Sequence, residues 1–501
     1  MTRGVIATPH FLASQAGAEV LREGGNAVDA ALVADAVLCV VYPHMTSIGG
    51  DLFAQVWPAG SPAPVGYEGA GRSGSLASLE TMRERGHSAM PPQGVLTVTV
   101  PGTVEAWGRL LETYGTVGMG RVVAPAVALA RDGFLVTEGL SRHLHDHFQW
   151  LMTDPEAQRL LPPLMPGMLM RNPDLARSLE LIGRFGVNVF YRGELGAAIS
   201  SAIARRDGLV TASDLATHRG RWSTPLAASY RGLTVYEMPP PTQGLLALAL
   251  IRRLEGLAPD ILRPGPPLAR ELYRLRDVAY PLRDRYISDP DFVSVPAEPF
   301  LDPEVAGVGR GEAIPEGDTI YLCAADEEGN LVSLIQSVAN SFGSGVIAEG
   351  TGILLQNRGV YFSLEPEHVN RLEPRKRTMH TLIPALAART GEDRPWAAFG
   401  SMGADGQPQV QAQVFVNLAD GGLDPAAAVA APRVRVAPGG GELWVEADYP
   451  GADELQRSEL PVKLLPPRST SMGHAAALVV DGSGQWRAGA DPRSDGSVEF
   501  A

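Results

Sequence analysis

Thr319 heads the run Thr319-Ile320-Tyr321-Leu322-Cys323-Ala324-Ala325-Asp326, an apolar, β-prone stretch that comes after the turn-forming Pro315-Glu316-Gly317-Asp318. A hydroxyl at the mouth of a buried strand can act as a nucleophile only with a base beside it, because a neutral threonine attacks poorly. The bland reading is structural, since β-branched residues favour strands whatever their chemistry. A serine-hydrolase elbow at Ser401 would need Gly-x-Ser-x-Gly, and position 399 is Phe399. Ser141-Arg142-His143-Leu144-His145-Asp146-His147 suggests a metal. On a helix, however, only His143 and His147 share a face and no further ligand is indicated, so a polar helix face is expected and no metal. Gly24-Gly25 is no phosphate loop, because no Gly-x-Gly-x-x-Gly comes after a strand there.

The elements that must position Thr319 are legible around it. Glu327-Glu328-Gly329-Asn330 reads as a hairpin turn, and Leu331-Val332-Ser333-Leu334-Ile335-Gln336-Ser337 returns as a second strand. Near the N-terminus, Ala13-Ser14-Gln15-Ala16-Gly17 and Ala27-Val28-Asp29-Ala30-Ala31 read as helices, with Gly24-Gly25 as a stop and Asn26 as an N-cap. Gln409 to Asn417 reads as another helix. Residues 254–318, rich in proline and charge, read as helices and connecting loops that lead to the Thr319 turn. No internal repeat is visible, and the class is mixed α/β.

With 501 residues, 45% hydrophobic and 20% charged, the chain has the balance of a soluble globular protein with a large core. A net charge of −14 argues against a nucleic-acid groove and against anionic membrane surfaces. The run from Ala30 to Tyr42 is broken by Asp35 and too short to span a bilayer. Cys39 and Cys323 sit in apolar runs and are expected as buried thiols, which suits a reducing compartment. Met1-Thr2-Arg3-Gly4-Val5-Ile6 enters a strand at once, so no signal peptide is expected and the location expected is cytoplasmic.

The residues beyond the Thr319 strand carry more information. Asn340-Ser341-Phe342-Gly343-Ser344-Gly345 and Gly350-Thr351-Gly352-Ile353-Leu354-Leu355-Gln356-Asn357 come at close spacing. The region resembles the small-subunit start of the γ-glutamyltransferase (glutathione hydrolase) family. There, Thr-Thr-His-aromatic-Ser-Val-Val-Asp-x-x-Gly-Asn-x-Val-Ser begins at the catalytic threonine, which falls on Thr319, with Asp326, Gly329, Asn330 and Phe342 in step. Ala13-Ser14-Gln15-Ala16-Gly17, Gly24-Gly25-Asn26-Ala27-Val28-Asp29-Ala30-Ala31 and Ile48-Gly49-Gly50-Asp51 resemble the family's opening. Gly400-Ser401-Met402-Gly403-Ala404 corresponds to its Gly-Ser-Pro-Gly-Gly, and the likeness runs over essentially the whole chain.

The resemblance implies an N-terminal nucleophile (Ntn) hydrolase with a four-layer αββα sandwich. It implies a proenzyme that cuts itself at Asp318–Thr319, so that residues 1–318 and 319–501 form the large and small subunits of one domain. Thr319 would then attack a small-molecule amide, with its new α-amine as base, and no cofactor is implied. Family position gives the backbone N–H groups of Gly403 and Ala404 to the oxyanion hole, a role Ala404 tolerates if its φ is negative, and gives Ser337 the orienting of the nucleophile. A homodimer of the processed heterodimer is compatible with this reading.

The substrate pocket departs from the pattern. Where relatives hold the γ-glutamyl zwitterion with Asn, Gln, Asp and Ser-Ser, this chain has Ala339, Arg358, Tyr361, and His380 with Thr381. The family's carboxylate-binding arginine aligns with Glu68, and Arg72 is the nearest arginine. The expected substrate is therefore a γ-glutamyl or related carboxylate-bearing amide, with Arg72, Arg358, Tyr361, His380 and Thr381 as the binding set. The sharper form is an acyl group with a carboxylate and no α-amine, as in an oxamate- or glutaryl-amide hydrolase. A binding protein on the same fold that never cuts itself is the remaining alternative.

Overall fold

The computed structural model describes residues 3–314 and 317–501. The expected turn at Pro315-Glu316 lies outside the described residues. The strand begins one residue earlier than the sequence suggests, at Asp318, and runs to Asp326. Residues 327–330 then turn the chain into Leu331–Ala339, and the two strands pair antiparallel.

This hairpin is the middle of a seven-stranded antiparallel sheet. Its order is Ser497–Phe500, Gly4–Thr8, Asp318–Asp326, Leu331–Ala339, Asp51–Trp57, Val65–Gly69 and Arg221–Ser223. A second antiparallel sheet of six strands runs Trp486–Ala490, Ala475–Val480, Pro395–Ser401, Ala385–Arg389, Leu233–Glu237 and Leu226–Tyr230. Because side chains alternate across a strand, the Thr319 strand feeds two cores. Ile320, Leu322 and Ala324 face the helices Phe11–Arg22 and Ala27–Val41. Tyr321, Cys323 and Ala325 face the second sheet, packing with Leu386, Ala398 and Leu478. The outer face of that sheet is covered by the helices Gly244–Glu255, Pro266–Tyr286 and Gln407–Ala419. The result is the αββα sandwich, with the Thr319 strand buried on both faces.

Local chemistry explains where the first-layer helices begin and end. Asn26 caps Ala27–Val41 through a reciprocal capping box with Asp29. Asp29 also accepts from the backbone N–H and hydroxyl of Thr116, tying that helix start to the next layer of chain. The expected helix at Gln409 to Asn417 extends to Gln407–Ala419. Both cysteines are free and buried. No helix among the described residues is long and apolar enough to cross a membrane.

Asp326 joins the hairpin to the helix layer. Its Oδ1 accepts from the N–H groups of Glu328, Gly329 and Asn330, and its Oδ2 accepts from Ala27 N and Asn330 Nδ2. Hydrogen bonds to a charged acceptor contribute about 1.5 to 3 kcal/mol each when deleted. In an uncut Thr319→Ala background, Asp326→Ala is expected to cost on the order of 3 kcal/mol, read as a lower urea midpoint.

Candidate active site

The pairing of the hairpin is irregular at one place. Gln336 pairs with Ile320 and Ala339 with Asp318, so Ser337 and Val338 together face the single residue Thr319. Such a bulge bends the strand and re-aims its side chains. Here it sets the Ser337 hydroxyl beside the scissile candidate. Thr319 Oγ1 donates to Ser337 Oγ at 3.1 Å, Ser337 Oγ donates to the Asp318 carbonyl at 2.7 Å, and Ala339 N donates to Ser337 Oγ at 2.8 Å. One hydroxyl thus fixes the threonine side chain and polarises the carbonyl just before it. Gly50 makes room behind: a Cβ there would lie 2.4 Å from the Ser337 carbonyl oxygen.

Gly317 leads the chain in over Tyr361 and Ala404. A Cβ on Gly317 would stand 3.0 Å from Tyr361 Oη, 3.2 Å from Ala404 Cβ and 2.6 Å from the Ala339 carbonyl. Gly403 and Ala404 turn between the strand Pro395–Ser401 and the helix Gln407–Ala419. Among the described residues, neither of their backbone N–H groups has an acceptor. Gln243 Nε2 donates to the Ala404 carbonyl at 2.9 Å and anchors the turn. Gly403 has φ 130°, and Ala404 has φ 43°. The condition attached to Ala404 by the sequence therefore fails: its φ is positive, in the left-handed region that favours glycine. The loop reverses so tightly between strand and helix that both residues take that hand.

Arg358 is fully buried, with its guanidinium carbon 5.1 Å from the centre of the Tyr361 ring. Nη1 donates to Thr381 Oγ1 at 3.1 Å, while Nε and Nη2 have no hydrogen-bond partner. Burial pulls the Arg358 pKa below its ordinary value, against the attraction of Tyr361 and Asp51. Asp51 is the nearby carboxylate. Burial pushes it up to about 7, while Arg358, Gln356 and the Gly71 N–H pull the other way. His380 Nε2 lies 3.2 Å from Asp51 Oδ2, and its Nδ1 accepts from Leu382 N. Burial drives His380 well below the usual imidazole range, so it is neutral and donates through Nε2.

The structure therefore brings Thr319, Ser337, Gly403, Ala404, Arg358, Tyr361, His380 and Thr381 into one connected cluster. Arg72 it does not bring in. Its guanidinium is 33% exposed and paired with Asp289 and Asp291, which Arg377 shares. Glu68, at the family arginine's place, is buried in an ion pair with Arg221. Two contributors went unassigned in the sequence. Asp51 was visible only as the residue after Gly49-Gly50, although an acid opening an apolar strand needs partners. His143 faces the Asp318 carboxylate, with Nδ1 3.7 Å from Oδ2. His143 and His147 do stack on one helix face, 6.1 Å apart, and no group of three or more His, Cys, Asp or Glu among the described residues could hold a metal ion.

With this geometry in place, comparison with known proteins decides the family. The gamma-glutamyltranspeptidase family model matches residues 13–501. The chain belongs to the gamma-glutamyltranspeptidase family. It is 37% identical to the glutathione hydrolase-like YwrD proenzyme of Bacillus subtilis, over 99% of this chain and 98% of that protein. It is 34% identical to the oxamate amidohydrolase proenzyme of Klebsiella pneumoniae, with the same shares covered. Among solved structures, cephalosporin acylase from Bacillus halodurans superposes with a TM-score of 0.91 at 34% identity, covering 99% of this chain and 96% of that one. This family member is thus an Ntn-type amide hydrolase or acyltransferase, made as a precursor that is processed into subunits.

A non-glycine residue held at positive φ costs about 1 to 2 kcal/mol. Ala404→Gly is expected to raise the urea midpoint of an uncut Thr319→Ala chain by an amount worth about 1 kcal/mol, and no change or a fall would show that the turn carries no such strain.

Proposed function

We propose that this protein cuts itself at Asp318–Thr319 and then hydrolyses amides whose acyl group carries a carboxylate but no α-amine, glutaryl amides being the model case. In the first step, Thr319 Oγ1 attacks the Asp318 carbonyl carbon and the C–N bond breaks as the C–O bond forms. The freed nitrogen takes the hydroxyl proton, and water then hydrolyses the ester. The products are a new carboxyl at Asp318 and an α-amine on Thr319. An α-amine with a pKa near 8 is only about 10% free base at pH 7, worth roughly 1.4 kcal/mol, which a modest downward shift would remove. It accepts the Oγ1 proton as the hydroxyl attacks the substrate carbonyl, and it returns that proton to the departing amine. The N–H groups of Gly403 and, although its φ is positive, of Ala404 have no acceptor among the described residues and can meet the oxyanion, a contribution of about 3 to 4 kcal/mol per donor in related chemistry.

The observation that carries the acyl preference is Arg358. A buried guanidinium with two unpaired nitrogens calls for an anion. Among the described residues, the carboxylate that acts on it is Asp51, which burial pushes up to about 7. A substrate carboxylate beside Tyr361 and Thr381 would complete the pair. By contrast, Tyr361 stands where family members that bind γ-glutamyl groups have an acid, so the side chain at that position offers an α-ammonium no carboxylate. An unpaired, desolvated ammonium costs roughly 2 to 5 kcal/mol.

The first measurement is intact mass. Wild type is expected as two chains, residues 1–318 and 319–501, and Thr319→Ala as one; a single chain in both would favour a binding protein on this fold. The second compares para-nitroanilides. Glutaryl-para-nitroanilide is expected to exceed the γ-glutamyl compound in kcat/KM by at least about 30-fold, and Arg358→Met to lower the glutaryl value by a similar factor. Preference for the γ-glutamyl compound would defeat the acyl assignment.

A further inference from the structure

The two ends of the proposed acyl site belong to segments that are separate in the chain. Gly403 and Ala404, whose N–H groups have no acceptor among the described residues, turn between the strand Pro395–Ser401 and the helix Gln407–Ala419. Thr381, whose Oγ1 accepts from the buried Arg358 guanidinium at 3.1 Å, comes just before the strand Ala385–Arg389. One side chain bonds to both. Gln243 Nε2 donates to the Ala404 carbonyl at 2.9 Å and to the Thr381 carbonyl at 3.3 Å. The backbone around Gln243 grips the same place. Gln243 N donates to the His380 carbonyl at 2.9 Å, His380 N donates to the Pro241 carbonyl at 2.8 Å, and Thr242 pairs with His380 in an isolated parallel bridge.

Gln243 is fully buried, immediately before the helix Gly244–Glu255. Both partners of its amide are carbonyl oxygens, so the NH2 group must face them, and Oε1 is left without a hydrogen-bond partner. An unsatisfied buried acceptor is unfavourable. A methionine would fill a similar volume without that cost, but it could not donate. Within its own turn the Ala404 carbonyl accepts from Gln407 N, whereas the bond from Gln243 reaches across to the segment that holds Arg358. Ala404, at φ 43°, is in a conformation that alanine does not favour, so bonds from outside the turn are needed to keep its N–H aimed.

We propose that Gln243 sets the separation between the oxyanion donors and the Arg358–Thr381 anion site, and so selects the length of the acyl chain that spans them. It is a positioning residue, acting through Ala404 and Thr381. The proposal rests on the acyl reading above and adds chain length as what that site measures. A substrate with its carbonyl carbon at Thr319 Oγ1 and its carboxylate at Arg358 bridges a fixed gap. With both ends clamped by one amide, a chain one methylene too short or too long finds no relief from a shift of either end. Once the clamp is cut, the two segments move independently, and the best-fitting chain loses its alignment.

Succinyl-, glutaryl- and adipyl-para-nitroanilide, which differ by one methylene at each step, test this in wild type and Gln243→Met. In wild type one length is expected to exceed the other two in kcat/KM by at least about tenfold, the lower end of what one methylene commands in a shaped pocket. In Gln243→Met that value is expected to fall and the spread to narrow to about threefold or less. A residue that merely fills space would lower all three together. A uniform fall therefore overturns the proposal, as does a wild-type series without a preference. Gln243→Glu, which keeps the shape but can donate to at most one of the two carbonyls, gives the same reading if Gln243→Met does not fold. If the γ-glutamyl compound surpasses the glutaryl one, the acyl reading fails and the spacing is tested with γ-glutamyl against β-aspartyl para-nitroanilide. There Gln243→Met is again expected to narrow the difference, and an unchanged ratio is equally fatal. If the chain stays uncut and inactive, calorimetric titration with succinate, glutarate and adipate replaces turnover. One diacid binding best, with the variant levelling the three, is expected; equal binding or none overturns the proposal.

Discussion

The site depends on one extra residue in one strand. Because Ser337 and Val338 share the place opposite Thr319, a serine side chain reaches both the threonine hydroxyl and the carbonyl before it. In a regular ladder the residue opposite Thr319 would be fixed by simple register and the carbonyl would be spent on a strand partner. At the bulge that carbonyl accepts from the Ser337 hydroxyl. The apolar packing on both faces of the strand then keeps the arrangement from slipping, since a shift by one residue would reverse every buried side chain.

Around that point the electrostatics of the protein are unbalanced. At Arg358 it holds a buried cation whose counter-charge is incomplete among the described residues, with Asp51 weakened as a partner by its own desolvation. Gly317 and Asp318, residues of the chain itself, stand beside it, Gly317 against Tyr361 and Ala404 and Asp318 facing His143. Burying Arg358 without a full partner is unfavourable for stability, which is the usual mark of a group kept for binding.

Much of this was legible from residues that act locally. The N-cap at Asn26 and the turn before Asn330 arise from side-chain chemistry within a few positions, and both appear where the sequence places them. The Thr319 hairpin and the family pattern after it pointed to the αββα layers. The features that stayed hidden depend on contacts between distant parts of the chain. Arg72 lies near the right place in sequence, yet Asp289 and Asp291 draw its side chain away. The positive φ of Ala404 comes from a tight strand-to-helix reversal that no residue type announces. The meeting of His143 with Asp318 requires the helix layer to fold over the sheet.

The order of strands in the first sheet has a consequence for the life of the molecule after cleavage. Strands that precede the proposed cut, Gly4–Thr8 and Asp51–Trp57, flank on either side the hairpin that lies after it, and Ser497–Phe500 adds itself beyond Gly4–Thr8. The second sheet likewise mixes Leu226–Tyr230 and Leu233–Glu237 with strands from after the cut. Neither side of that bond owns a complete sheet, so each leaves strand edges that the other covers. Before the cut, assembly is unimolecular, and the connecting chain keeps the two halves at high effective concentration. Afterwards, a denatured molecule would have to find its other half by diffusion, with exposed strand edges inviting wrong pairings. A bond severed there would be a record of correct folding that cannot be rewritten, and a mature form so made would depend on the slowness of its unfolding.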